Sequence, residues 1–116
     1  MNENEVQVWN YEGAEVRTVQ IDGEPWFVLA DICRELEISN SRMVSERLES
    51  DELMSAKLTS GGQRREMTII NESGLYTVIL RSDKPQAKPF RKWVTSEVLP
   101  SIRKHGSYSV QSKFAD

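Results

Sequence analysis

The stretch VRTVQIDGEPWFVLADICREL, residues 16–36, decides the fold, because its hydrophobic period changes partway along. Val16, Val19 and Ile21 mark a strand. Asp22-Gly23 then supplies a two-residue hairpin signal, since both central residues of a type I′ turn need φ > 0. Trp26-Phe27-Val28-Leu29 forms the returning strand. From residue 30 to 37 the spacing becomes helical, with Ala30, Ile32, Cys33 and Leu36 on one face. Strands that feed directly into an amphipathic helix predict a sheet with helices packed on its apolar face.

Upstream, Val6-Gln7-Val8-Trp9 alternates as a half-buried strand does, and Asn10–Gly13 is a turn, so the chain opens as a meander. Downstream, Ser39-Asn40-Ser41 breaks the helix with three good N-cap residues, and helical spacing resumes at Met43, Val44 and Leu48. Two short helices across a polar turn, residues 30–48, make a helix-turn-helix-like pair. Met54, Ala56 and Leu58 alternate next, Ser60-Gly61-Gly62 turns, and Met67 and Ile69 alternate back. This second hairpin begins its returning arm with Gln63-Arg64-Arg65.

Asn71 or Ser73 can cap a helix carrying Leu75, Tyr76, Val78, Ile79 and Leu80, which Ser82–Pro85 stops. In the last helix Phe90, Trp93, Val94 and Val98 form a stripe, with Arg91, Lys92, Ser96 and Arg103 away from it. Pro89 must lie in that helix's first turn or kink it, and Pro100 should end or bend it. Glu97 falls inside the stripe, where an unpaired carboxylate is costly, so it is expected to pair with an arginine or with backbone donors. The expected class is α+β: an N-terminal three-stranded meander, the helix pair, a second β-hairpin and C-terminal helices. Residues 1–106 would form the domain, and 107–116, which lack periodicity, a tail or truncated linker.

A chain of 116 residues with 38% apolar content suits one domain with one ordinary core. No run approaches the ~18 apolar residues of a membrane span, and MNENEVQ has no signal-peptide apolar region. A single cysteine, Cys33, cannot form an internal disulfide and favours a reducing, cytoplasmic setting. His105 and Cys33 alone make no familiar zinc site and have no triad partners. No Gly-x-Ser-x-Gly, Walker loop or His-Glu-x-x-His occurs, so neither catalysis nor a cofactor is expected.

Charge is uneven. Residues 1–60 hold 13 Asp/Glu against 5 Lys/Arg, a net of −8, while residues 61–116 hold 5 against 10, a net of +5. A basic second half is a polyanion-facing surface if the halves do not neutralise each other on folding. In a helix-turn-helix the second helix enters the major groove, which would put Asn40, Ser41, Arg42 and Arg47 in or near it. Against that stand Glu35, Glu37, Glu46 and Glu49, which would repel DNA. The hairpin tip Gly61–Arg65 has the layout of a wing, placing Arg64 and Arg65 on flanking phosphates. Arg91, Lys92, Arg103 and Lys104 would add backbone contacts if the last helix faces the same side.

The segment Glu24–Leu36 resembles the opening motif of the BRO family N-terminal domain, which occurs in prophage antirepressors and large DNA viruses. Ile69-Ile-Asn-Glu-Ser-Gly-Leu-Tyr76, Leu80-Arg-Ser82, Ala87, Phe90–Val94 and Glu97–Tyr108 resemble its second half, in order and spacing. The likeness covers about residues 6–108. It implies a small α+β module that binds double-stranded DNA, usually followed by a separate domain, in a prophage or viral regulator acting in the bacterial host cytoplasm. Two departures stand out: Glu37 occupies a usual glycine position, and Pro89 a usually basic one. The competing expectation is an interaction module that binds a phage repressor, or a second copy of itself as a homodimer, without touching DNA.

Overall fold

Each of three hairpins closes on two residues with positive φ: Glu12-Gly13, Asp22-Gly23 and Gly61-Gly62. Such turns carry the right-handed twist of the flanking strands, and the glycine at the second position avoids the Cβ penalty. They join β1 (Gln7–Tyr11) to β2 (Ala14–Ile21), β2 to β3 (Glu24–Val28), and β4 (Leu53–Ser60) to β5 (Gln63–Asn71). The computed structural model describes residues 6–106; the tail or linker expected at 107–116 lies outside them. All five strands form one antiparallel sheet in the order β1-β2-β3-β5-β4.

Alternation splits the sheet into two faces. Val16, Phe27 and Ile70 point to the main core, which the helices cover. Val19, Val28, Leu58 and Ile69 form a smaller core contributed by strands alone. The helices are α1 (Leu29–Glu35), α2 (Ser41–Glu46), α3 (Glu72–Arg81), α4 (Ala87–Trp93) and α5 (Leu99–Gly106). The expected architecture is therefore present, with element edges shifted by one or two residues.

Asp31 anchors α1 to the sheet. The ladder between β2 and β3 ends at the pair Thr18–Phe27. The next backbone N–H, of Arg17, donates to Asp31 Oδ2 at 2.9 Å in place of a strand partner. The Arg17 guanidinium adds a fork, Nε to Oδ2 at 2.9 Å and Nη2 to Oδ1 at 2.8 Å. Arg34 donates to Oδ1 at 3.4 Å and reaches the carbonyl of Glu15 with its other nitrogen. Asp31 is wholly buried, whereas Ala30, expected on the apolar face, is exposed; Leu29 takes that place.

The helix pair closes on a left-handed residue. Glu37 has φ 56°, Ile38 N–H bonds the carbonyl of Cys33 at 2.8 Å, and Glu37 N–H that of Arg34 at 3.2 Å. These two bonds make a Schellman cap, whose αL position favours glycine. The chain forms the tight turn with glutamate there, at a conformational cost.

A second knot ties the loop before β4 to α3. Asn71 caps α3, its Oδ1 accepting from Gly74 N–H at 2.9 Å. Glu52 accepts from Ser73 Oγ at 2.6 Å and from the Glu49 N–H at 2.9 Å. The Ser73 hydroxyl, then the Glu49 amide, hold its carboxyl below the usual range. The packing is close: a Cβ at Gly74 would lie 2.9 Å from the Glu52 carbonyl oxygen and 3.2 Å from Ile70 Cβ.

Pro89 sits in the first turn of α4, where no intrahelical N–H bond is lost. Pro100 does not end the helix. A π-helical turn over Val94–Val98 precedes it, with Leu99 N–H bonded to the Val94 carbonyl. That wider turn makes room for a ring that would otherwise crowd the Ser96 carbonyl. It also rotates the following residues by about one position. A straight helix would carry Glu97 and Ser101 inward and Leu99 outward; instead Val98, Leu99 and Ile102 are buried and Glu97 is exposed. The expected pairing of Glu97 is thus unnecessary, because water solvates it.

Three substitutions test these devices by urea unfolding. Glu37→Gly should stabilise by about 1 kcal/mol by relieving the αL glutamate. Gly74→Ala should destabilise by about 1–3 kcal/mol, since the neighbours are backbone and core atoms. Asp31→Ala should cost about 3 kcal/mol, leaving a half-buried guanidinium and an orphan strand amide.

Candidate nucleic-acid interface

β5 outruns β3. Its ladder with β3 covers only Ile69–Asn71, while its ladder with β4 runs the length of the hairpin. Residues 55–68 therefore project beyond the sheet as a two-stranded ribbon. Where β3 stops, the chain leaves for α1, and a groove of about 520 Å³ opens between the diverging segments. One wall is Arg65–Thr68 of the ribbon; the other combines the start of α1 with Ser41, Arg42 and Ser45 of α2. Arg17 also lines it.

α2 contributes no buried residue, which explains its polar composition. Asn40 Oδ1 accepts from Met43 N–H at 3.2 Å, so its carbonyl caps the helix. Ser45 Oγ donates to the Arg42 carbonyl at 2.9 Å. The Arg42 guanidinium has no hydrogen-bond or ion-pair partner among the described residues. Arg65 donates from Nε and Nη2 to Gln63 Oε1 at 3.0 and 2.7 Å, which steadies its fork on the ribbon. Arg17 is held by Asp31, whose hydrogen bond pushes its pKa further up. The one acid on the ribbon wall, Glu66, accepts from Ser55 Oγ at 2.7 Å.

The groove thus gathers Ser41, Arg42 and Arg65 from two separate segments, with Asn40 at the adjoining cap. Other expected residues lie elsewhere. Arg47 lines a different cleft, between α2 and α3. Arg64 stands opposite Thr59 on the other face of the ribbon from Arg65. Arg91 and Lys92 are exposed on α4 and Lys104 on α5, and none lines the groove. Arg103 grips Glu72 Oε1 and Oε2 at 2.9 and 2.8 Å and borders a third cleft with Gly23 and Asn71. The last helix therefore does not place these four cations on the groove walls.

Sequence reasoning missed Arg17 and Thr68. A signal for Arg17 existed: an aspartate among helical residues with buried neighbours requires a cationic or backbone partner. Burial pushes the Cys33 thiol up, away from the reactive thiolate. Among the described residues no three His, Cys, Asp or Glu side chains group to hold a metal, and no helix is long and apolar enough to cross a membrane.

The family model for the BRO family, N-terminal domain, matches residues 15–100. An uncharacterized protein of Haemophilus influenzae is 37% identical over 95% of this chain, which spans 56% of that protein. A Bro-N domain-containing protein of Invertebrate iridescent virus 6 is 33% identical over 87% of this chain and 29% of its own length. Another from the same virus is 50% identical over 40% of this chain and 11% of its own length. No solved structure matches. The second and third strands of the meander, the helix pair, the ribbon and most of the C-terminal helical segment fall within the matched span, and the chain belongs to the BRO family as its N-terminal domain.

Proposed function

We propose that this domain binds double-stranded DNA through the groove between α2 and the ribbon, as the regulatory DNA-binding part of a phage-type antirepressor. It would act in the cytoplasm of a bacterial host, in the control of lysogeny, as a binding module without catalysis. One observation carries the reading: Arg42 of α2 and Arg65 of the ribbon, distant in sequence, border the same concave surface. A helix and a flanking two-stranded ribbon are the elements that reach a DNA groove and its neighbouring phosphates. Ser41 and Arg42 would meet base edges or the nearest phosphates, and Arg65 the flanking backbone. Arg17, neutralised by Asp31, would shape the groove floor and add little charge. The acidic first half, net −8 over residues 1–60, would limit indiscriminate binding.

That acidic half also favours a second reading, in which the domain lifts repression by binding a repressor protein, or pairs with its own copy, without contacting DNA.

Titration of labelled duplex DNA, followed by anisotropy at two salt concentrations, separates them. Under the first reading binding weakens with salt, by a log–log slope of about −0.9 per phosphate contact. Arg42→Ala should lose about 1–3 kcal/mol and relax sequence preference. Arg65→Ala should weaken all sequences alike and reduce the slope by about 1. Arg103→Ala should leave affinity unchanged, since that guanidinium is spent on Glu72. Flat anisotropy at micromolar protein and low salt would overturn the DNA reading in favour of the second.

A further inference from the structure

The cleft that takes Arg47 away from the groove lies between α2 and the C-terminal end of α3. Its apolar lining is Ile38, Val44, Leu48 and Val78, and its cations are Arg47, Arg81 and Lys84, with Asp83 the one acid. The set is net positive in a chain of net charge −3. Lys84 Nζ donates to the Glu37 carbonyl at 3.0 Å, so the rim is braced across the cleft to the turn between α1 and α2. Four large hydrophobic side chains are exposed among the described residues, and two of them are next in sequence to residues that line this cleft. Met43, 48% exposed, precedes Val44 by one residue; Leu80, 66% exposed, precedes Arg81.

Size decides what fits. The cleft measures about 190 Å³. Pockets for drug-sized ligands run to ~300–1,000 Å³, whereas an apolar cavity of ~150 Å³ takes one benzene ring. The space suits a single large side chain seated on Ile38, Val44, Leu48 and Val78. The cations select the rest: carboxylates beside the anchor would meet Arg47, Arg81 and Lys84. We infer that this cleft docks an acidic segment of a partner protein, anchored by one aromatic side chain. The docking side of α2, with Val44 and Arg47, is the opposite one from the groove side, with Ser41, Arg42 and Ser45. One helix would then be read by two ligands.

The test uses two blocked synthetic pentapeptides, Glu-Glu-Trp-Glu-Glu and Lys-Lys-Trp-Lys-Lys, titrated into the ¹³C-methyl-labelled protein. The acidic peptide should shift the methyl signals of Val44, Leu48 and Val78 saturably, with a Kd of about 1 mM. The basic peptide should bind about tenfold more weakly or not at all. Arg47→Ser/Arg81→Ser, two exposed substitutions, should weaken the acidic peptide about fivefold while the spectrum stays folded. Equal binding of both peptides, no shift with either, or shifts mapping to other methyls would each overturn the inference. Concentration-dependent shifts of the same methyls without peptide would reassign the cleft to a second copy. Indole-3-acetate binding as tightly as the peptide would reassign it to a small amphipathic acid.

Discussion

A buried carboxylate stands in for a missing strand. Where β3 turns away into α1, the amide of Arg17 loses its ladder partner, and Asp31 supplies the acceptor. The same carboxylate holds the Arg17 guanidinium bidentately and touches Arg34, which in turn reaches back to the Glu15 carbonyl. A charge this deep is stable only because every lone pair has a donor. The constraint fixes where α1 begins, and so how far the chain diverges from β5. The groove is the space left by that divergence. Its dimensions therefore depend on an ion pair whose arginine, Arg17, itself lines the groove.

The helical side is governed by a comparable accommodation. The π turn lets Pro100 sit inside a helix and swings Leu99 and Ile102 onto the sheet. Thr95 and Ser96 hydroxyls donate to the Arg91 and Lys92 carbonyls around this turn, which satisfies acceptors that the altered spacing disturbs. Tyr11, Phe90 and Trp93 pack edge-to-face and tilted, with centroids 4.7–5.8 Å apart, joining β1 to α4. The last helices thereby serve the core, and their cations lie off the groove walls.

Positive charge is consequently divided by use. Arg17 and Arg103 are committed to Asp31 and Glu72, and their charge is largely cancelled. Arg42 and Arg65 stand at the groove, Arg47 and Arg81 at the second cleft. A count of basic residues by segment treats all of these alike. Only their partners distinguish a cation that holds the fold together from one that is available to a phosphate or carboxylate.

The sequence by itself determined the elements. The Asp22-Gly23 and Gly61-Gly62 turns, the change from strand to helical spacing after Leu29, and the Asn71 cap are local signals, set by φ/ψ preference and short-range hydrogen bonds. The motifs of residues 24–36 and 69–108 were enough to indicate the family. Tertiary structure alone decided which side chains share a surface. Ser41, Arg42 and Arg65 meet because β5 passes β3 and the chain peels away, a divergence that no periodicity records. The exposure of Glu97 follows from a wide turn made to house a proline several residues on, and a wheel drawn at constant pitch cannot anticipate it. Asp31 and Arg17 are 14 residues apart; the aspartate's place among apolar helical residues signals that it needs a partner, but not which one. Their bond is forced by the end of a ladder, and long-range pairing of that kind appears only when the sheet is assembled.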